Sequence, residues 1–134
     1  MTVVRNETHP VLTSEDVVVV RRLVREWAIA AGFGLVDQTK LVTAASELAR
    51  NCVQYGGGGA CQLEALSEGS KRGLRVVFED QGPGIADVDQ ALRDGFTTGG
   101  GLGLGLGGAR RLVNDFVIES RPGEGTRVAI TRWK

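Results

Sequence analysis

Apolar residues recur at helical spacing in two stretches of the first half of the chain. The first stretch begins with Thr13-Ser14-Glu15-Asp16, which supplies a capping hydroxyl and acidic residues for a first helical turn, and Gly32 can end it. In the second stretch Asp37 is placed to cap a helix that reaches about Tyr55. The apolar stripe of this second helix consists of Leu41, Ala45, Leu48 and Cys52. The pattern therefore predicts two amphipathic helices, one directly after the other.

Short apolar runs bounded by turn residues, the pattern of β-strands, make up much of the remaining chain. The predicted strands are Thr2 to Glu7, Ala60 to Leu66, Leu74 to Glu79, Phe116 to Ser120 and Thr126 to Trp133. A helical turn or two near Val88 to Leu92 and a third long helix, from the following glycines to about Val113, complete the order. Because hairpins outnumber regular strand–helix alternations, the chain is expected to fold as one α+β domain, residues 1–134, with three helices on one face of a mixed sheet.

Composition narrows the function classes. Sixteen basic residues balance sixteen acidic ones, so no net charge favours nucleic acid or an anionic membrane as a partner. No apolar run is long enough to span a bilayer, and the N-terminus is charged where a signal peptide is apolar. Cys52 and Cys61 lack neighbours that would complete a metal site. We therefore expect a cytoplasmic protein with two buried or half-buried thiols.

Two polar clusters carry candidate chemistry. Glu47 and Asn51 lie four residues apart on the second predicted helix and share a face beside its apolar stripe, where a carboxylate and an amide oxygen can hold hydrated Mg²⁺ and orient a hydroxyl. The alternative is an exposed polar face. The segment Glu79-Asp80-Gln-Gly82-Pro-Gly84-Ile85 follows a strand, where its aspartate can accept a hydrogen bond from an exocyclic amine. The alternative is an ordinary turn.

A third cluster combines glycines with leucines between Gly99 and Gly108. Alternating glycines expose backbone N–H groups, and a helix that begins there adds its positive end, so the segment is suited to bind phosphates. A flexible linker would lack the regularly spaced leucines. The letters Gly103-x-Gly105-x-x-Gly108 also match a dinucleotide fingerprint, with Glu119 as ribose ligand, but no strand precedes them and that interpretation is rejected.

In this order the three clusters resemble the nucleotide-binding boxes of the GHKL ATPases, the superfamily of gyrase, Hsp90, MutL and the histidine-kinase catalytic domains. The segment Gly123-x-Gly125-Thr126 is similar to the glycine-threonine element that follows in that superfamily. The resemblance covers roughly Ala44 to Thr126. It implies the Bergerat, or histidine-kinase-like, fold: a two-layer α/β sandwich with a mostly antiparallel sheet and a lid over ATP formed by Phe96 to Leu104.

Within the superfamily, the chain is similar to the compact serine/threonine kinases of bacterial partner-switching systems. We expect no transducer domain, and the sole histidine, His9, is unsuited as a phosphoacceptor. The segments Glu47-Leu-Ala-Arg-Asn51 and Asp94-Gly-Phe-Thr-Thr98, together with Tyr55, resemble the stressosome switch kinases over nearly the whole chain. Gln54 stands where histidine kinases often have a basic phosphate ligand, so phosphate contacts are expected from Mg²⁺ and backbone amides.

The resemblance also implies a role for each candidate residue. Glu47 is expected to take the proton of the acceptor hydroxyl, Asn51 to hold the Mg²⁺ that bridges the phosphates of ATP or ADP, and Asp80 to contact the adenine amine with support from Thr126. The other residues expected to contact the nucleotide are Gly82, Gly84, Ile85, Thr98, Gly101, Leu102, Gly103, Leu104, Gly105 and Leu106.

The implied substrates are STAS-domain proteins of a stressosome, phosphorylated on serine or threonine, and the implied later partner is a phosphatase of the PP2C type. No nucleic acid or membrane partner is expected. A different class of function stays open at this point: an anti-sigma factor kinase, or a weakly catalytic module that sequesters a sigma factor.

Overall fold

The computed structural model describes residues 1–93 and 105–134. These residues form five strands and four helices. In chain order the elements are β1 (Thr2–Val11), α1 (Ser14–Ala30), α2 (Leu35–Gln54), β2 (Gly59–Glu68), β3 (Lys71–Asp80), α3 (Val88–Ala91), α4 (Gly105–Arg111), β4 (Asp115–Ser120) and β5 (Thr126–Trp133).

The five strands form one sheet in the order β1-β2-β3-β5-β4. All four pairings between the described strands are antiparallel, so the sheet lacks the parallel pair that the predicted mixed sheet would contain. Because β5 lies beside β3, the last residue of β3, Asp80, is opposite the first residue of β5, Thr126. This register brings two candidate site residues together at one end of the sheet.

The helices cover one face of the sheet, as predicted. The apolar stripe of α2 is fully buried, which confirms the helical spacing of its apolar residues. Helix α1 contributes Val20, Val24 and Trp27, and the sheet contributes Leu63, Val76, Phe78 and Ile130. Two layers, helices and sheet, thus share one hydrophobic core. None of the described helices is long and apolar enough to cross a membrane.

The starts of the two long helices differ in how they are capped. Thr13 caps α1 through a capping box: its hydroxyl accepts a hydrogen bond from the Asp16 amide, and the Asp16 carboxylate accepts one from the Thr13 amide. The predicted cap at Asp37 is wrong, because α2 begins at Leu35 without a side-chain cap. The Asp37 carboxylate instead accepts a 2.6 Å hydrogen bond from the Arg132 guanidinium on β5. The Asp37 carboxylate, which local spacing predicted to cap α2, therefore pairs with a cation that is distant in the sequence.

The structure also changes the predicted lengths of elements. Strand β1 extends to Val11 because its pairing with β2 continues through Pro10, which an edge strand tolerates. The third helix, predicted to be long, is described from Gly105 and ends at Arg111, so its described part has seven residues and stops short of Val113. Leu106 and Ala109 of this helix are buried, and they attach it to the core.

Candidate active site

A cavity of about 700 Å³ opens between α2, the paired ends of β3 and β5, the segment from residue 83 to residue 91, and the start of α4. This volume is in the range of ligand sites for small molecules. Eight of the residues predicted to form the nucleotide site line the cavity: Glu47, Asn51, Asp80, Gly84, Ile85, Gly105, Leu106 and Thr126. Three clusters that are far apart in the sequence therefore meet at one place.

The remaining predicted site residues are placed differently. Gly82 does not line the cavity and packs behind it, against Gly56. Thr98, Gly101, Leu102, Gly103 and Leu104 lie outside the described residues, as does the lid predicted over residues 96–104.

Glu47 is a buried carboxylate with both oxygens engaged. The backbone N–H of Gly105 donates to Glu47 Oε1 at 3.1 Å, and the Arg50 guanidinium forms an ion pair with Oε2. Only 6% of Glu47 is exposed, so the alternative of an exposed polar helix face is wrong for this residue. Asn51, half-buried on the same face of α2, completes the polar side of the cavity.

Asp80 is held at the end of β3 by two glycines. The Gly82 amide donates to Asp80 Oδ1 at 2.9 Å, and the structure describes no hydrogen bond to Oδ2 from residues 1–93 and 105–134. A Cβ atom at Gly56 would lie 2.4 Å from both Cγ and Oδ2 of Asp80. Gly56 therefore has no room for a side chain, because its Cα hydrogen is packed against the carboxylate.

Backbone contacts fix the loop after Asp80. Gly84 has φ +76°, and a Cβ atom on it would lie 2.0 Å from the Arg121 carbonyl oxygen. Gly125 has φ +80°, and a Cβ atom there would lie 2.2 Å from the carbonyl oxygen of Asp80. Both positions require glycine for conformation and for space. The loop and the β4–β5 turn thus lock together around Asp80.

Side-chain hydroxyls extend this lock. The Ile85 amide donates to Ser120 Oγ at 2.8 Å, and Ser120 Oγ is 2.7 Å from Thr126 Oγ1. Thr126, predicted to support Asp80, lies opposite it in the paired strands β5 and β3, and the Thr126 hydroxyl is hydrogen-bonded to Ser120. In the described residues no direct hydrogen bond joins the side chains of Asp80 and Thr126.

Apolar side chains, which together form the apolar wall of the cavity, also line it. Its side chains come from α2, the central strands, the loop after β3 and α4: Leu48, Cys52, Phe78, Ile85, Leu106 and Val128. Burial, together with the nearby Asp80 charge, raises the pKa of the Cys52 thiol to about 11. Both cysteines are free and buried, as predicted. Apolar lining beside a carboxylate suits a heterocyclic base that carries an amine.

Three residues of this site were not predicted from the sequence: Arg50, Gly56 and Ser120. The concentration of glycine from Gly56 to Gly59 was a signal for the second of them, but it gave no indication of contact with Asp80. Arg50 lies inside the Glu47–Asn51 motif, and its ion pair with Glu47 is visible only once Glu47 is known to be buried. Ser120 ends a strand and carries no local pattern.

The sequence of the chain also matches known proteins. Residues 36–134 match the family described as "Histidine kinase-, DNA gyrase B-, and HSP90-like ATPase". The chain is 46% identical over 123 residues to the serine/threonine-protein kinase RsbT of Bacillus subtilis (strain 168), which covers 92% of each chain. It is 32% identical over 97 residues to an anti-sigma F factor of Thermoanaerobacter sp. (strain X514), which covers 68% of this chain and 66% of that protein.

Two solved structures share the fold. The RsbU and RsbW domains of a Mycobacterium tuberculosis protein match with a TM-score of 0.65 at 23% identity, over 96% of this chain and 32% of that chain. A histidine kinase domain of a blue-light activated histidine kinase from Erythrobacter litoralis matches with a TM-score of 0.52 at 21% identity, over 92% of this chain and 60% of that chain. These likenesses confirm the predicted histidine-kinase-like fold.

Proposed function

The chain belongs to the histidine kinase-, DNA gyrase B- and HSP90-like ATPase family and is a protein serine/threonine kinase, and we propose that it phosphorylates STAS-domain stressosome proteins in the cytoplasm as part of a bacterial partner-switching pathway. The observation that carries the proposal is the meeting of Glu47, Asn51 and Asp80 at one cavity of nucleotide size. Each of these side chains suits one part of ATP or its reaction.

The adenine end of the cavity lies at Asp80. Its Oδ1 is held by Gly82, while Oδ2 has no partner among the described residues and can accept a hydrogen bond from the adenine amine. The apolar wall that includes Phe78 and Val128 can pack against the ring. This pairing of an open acceptor with apolar surface supports adenine over a ligand without an exocyclic amine.

The phosphate end lies at Asn51. Residues 1–93 and 105–134 hold no cluster of three or more His, Cys, Asp or Glu side chains that could bind a metal on its own. Mg²⁺ in phosphoryl-transfer enzymes takes one or two protein oxygens and completes its coordination with phosphate oxygens and waters, so the Asn51 amide oxygen fits this role. When bound, Mg²⁺ would neutralise charge on the phosphates.

Glu47 is the proposed general base. It shares a face of α2 with Asn51, and its buried carboxylate borders the cavity. In the proposed reaction the acceptor serine or threonine oxygen forms a bond to the terminal phosphorus, and the bond from that phosphorus to the bridging oxygen of ADP breaks. The hydroxyl proton passes to Glu47 and the bond's electron pair leaves with ADP.

A partner phosphatase of the PP2C type, bound and activated after phosphorylation, is the proposed later partner. A second candidate function is supported by the 32% identity to an anti-sigma F factor. In that case the chain would bind a sigma factor, and phosphoryl transfer would be secondary. The two functions differ in how the chain acts on its partner: by catalytic turnover in the first, and by stoichiometric binding in the second.

The test is to incubate the protein with Mg²⁺, labelled ATP and candidate STAS proteins. We expect label on a serine or threonine of one of them. Asn51→Ala should lose Mg²⁺-dependent affinity for ATP. Glu47→Ala should keep nucleotide binding and slow transfer on the order of a hundredfold to ten-thousandfold, because the proposed general base is removed. Absence of transfer together with tight binding to a sigma factor would favour the second function.

A further inference from the structure

The described lining of the cavity carries little positive charge for a site that would hold phosphates. Its carboxylates are Glu47, Asp80 and Asp87, and its only cation within residues 1–93 and 105–134 is Arg50. Gln54 lines the cavity at the position where histidine kinases often have a basic phosphate ligand, and its side chain carries no charge. A triphosphate entering this cavity therefore meets one described cationic side chain.

Arg50 lies next to the groups assigned to the phosphates. At 100° per residue, Glu47 lies between the other two around α2. Arg50 is about 60° from Glu47 on one side, and Asn51 is about 40° from Glu47 on the other. All three line the cavity. A guanidinium at this position can reach either the Glu47 carboxylate or a phosphate held beside Asn51, because an arginine side chain is long and its planar fork suits both anions.

In the structure the guanidinium is on the carboxylate. The side chain of Arg50 is 44% exposed, whereas that of Glu47 is 7% exposed, so Arg50 is the partner with freedom to move. The other oxygen of Glu47 accepts the Gly105 amide. Each Glu47 oxygen thus already accepts one hydrogen bond, and an incoming hydroxyl would have to share Oε2 with the Arg50 guanidinium.

We propose that Arg50 is a positioning residue that senses the terminal phosphate of ATP and controls Glu47. It transfers its hydrogen bonds from Glu47 to that phosphate, and this frees Glu47 Oε2 to accept the hydroxyl proton. ADP lacks the terminal phosphate, so with ADP bound Arg50 stays on Glu47 and the base remains blocked. This inference rests on the proposed function, and it makes the base available only when a transferable phosphoryl group is present.

The test compares ATP and ADP binding by isothermal titration calorimetry with Mg²⁺ and without any protein substrate. In Arg50→Gln the affinity for ATP should fall about tenfold to a hundredfold, the loss expected for a charge-assisted contact, while the affinity for ADP changes less than about threefold. Arg50→Lys should keep part of the preference for ATP, since it keeps the charge but not the fork. Arg22→Gln, which removes an exposed helical ion pair on α1, is the matched control and should change neither affinity.

A purely structural role for Arg50 predicts something else. If Arg50 only neutralises Glu47, then Arg50→Gln lowers the melting temperature of the free protein and leaves the ratio of ATP to ADP affinity unchanged, which would overturn the proposal. Glu47→Gln adds an independent measurement, because release of Arg50 should raise the affinity for ATP. That gain should disappear in Glu47→Gln/Arg50→Gln, and its persistence there would also overturn the proposal.

These outcomes are distinct from a failure of the proposed function. A wild-type protein that phosphorylates a STAS protein but shows no change of nucleotide preference in Arg50→Gln contradicts the role of Arg50 alone. The opposite result is a wild-type protein that transfers no phosphate to STAS proteins but whose preference for ATP depends on Arg50. That result contradicts the proposed phosphorylation of STAS proteins and leaves Arg50 as a sensor of the triphosphate.

Discussion

Replacing Gly56 by alanine tests whether the position of the Asp80 carboxylate determines nucleotide binding. The added methyl carbon would lie 2.4 Å from Asp80 Cγ and Oδ2, about 1 Å closer than an ordinary contact of about 3.4 Å. The φ angle of Gly56 is not in the positive range, so the backbone tolerates alanine and the strain falls on the contact itself. The carboxylate must move by about 1 Å and weaken its 2.9 Å hydrogen bond with the Gly82 amide.

Two costs follow from that movement. Overpacking of this kind destabilises the folded protein by about 1–3 kcal/mol. A displaced Asp80 also loses its hydrogen bond to the adenine amine, and a bond to a charged group contributes about 1.5–3 kcal/mol, so affinity should fall tenfold or more. The first cost lowers the melting temperature of the free protein, and the second lowers the increase that nucleotide produces.

Thermal unfolding with and without Mg-ADP measures both effects. At a ligand concentration one hundred times Kd the wild type gains about 2.7 kcal/mol, or about 8 °C at about 3 °C per kcal/mol. A tenfold loss of affinity leaves about 1.4 kcal/mol, or about 4 °C, in Gly56→Ala at the same concentration. Gly34→Ala is the matched control, because a Cβ atom there has no neighbour within 4 Å. An unchanged nucleotide shift in Gly56→Ala would refute the assignment of Asp80 to the adenine.

Three further predictions follow from single sites. Asp80→Asn should abolish binding of adenine nucleotides in calorimetry, because Oδ2 is the open acceptor and an amide nitrogen in its place would present a second donor to the adenine amine. Undiminished affinity for ATP would show that Asp80 is a turn residue only. Asp16 has a pKa lowered chiefly by the hydrogen bond from the Leu12 amide, so its contribution to stability is present above its unfolded pKa and is lost as pH falls through the folded pKa. The melting temperature of Asp16→Asn should therefore be below that of the wild type at pH 7, and the difference should close under acid conditions; a difference that is constant from pH 7 to pH 2 contradicts this. Burial raises the pKa of Cys52 to about 11 and that of Cys61 to about 12, so a thiol reagent at pH 8 should label neither until urea unfolds the chain, and rapid labelling of the native protein would contradict their burial.

Local patterns in the sequence were sufficient for the elements whose causes are local. The capping box at Thr13 and the apolar spacing behind it determine where α1 begins and which side it buries, because a helix places residues three and four apart on one face. The turn residues between Ser120 and Thr126 likewise predicted the final hairpin. The candidate residues Glu47, Asn51 and Asp80 were identified from the order of their motifs, through a resemblance that the family match confirms.

The tertiary structure alone decided which groups these residues touch. Asp37 was a reasonable helix cap by spacing, but the fold places Arg132 beside it from the far end of the chain. Gly56 contacts Asp80 only because α2 and β3 end at the same edge of the cavity. In the sequence Glu47 and Arg50 are both polar residues of one helix. In the fold Glu47 is buried against the start of α4, whereas Arg50 stays half-exposed. Helical period and turn chemistry act over a few residues, whereas burial, charge pairing and close packing depend on how distant segments of the chain meet.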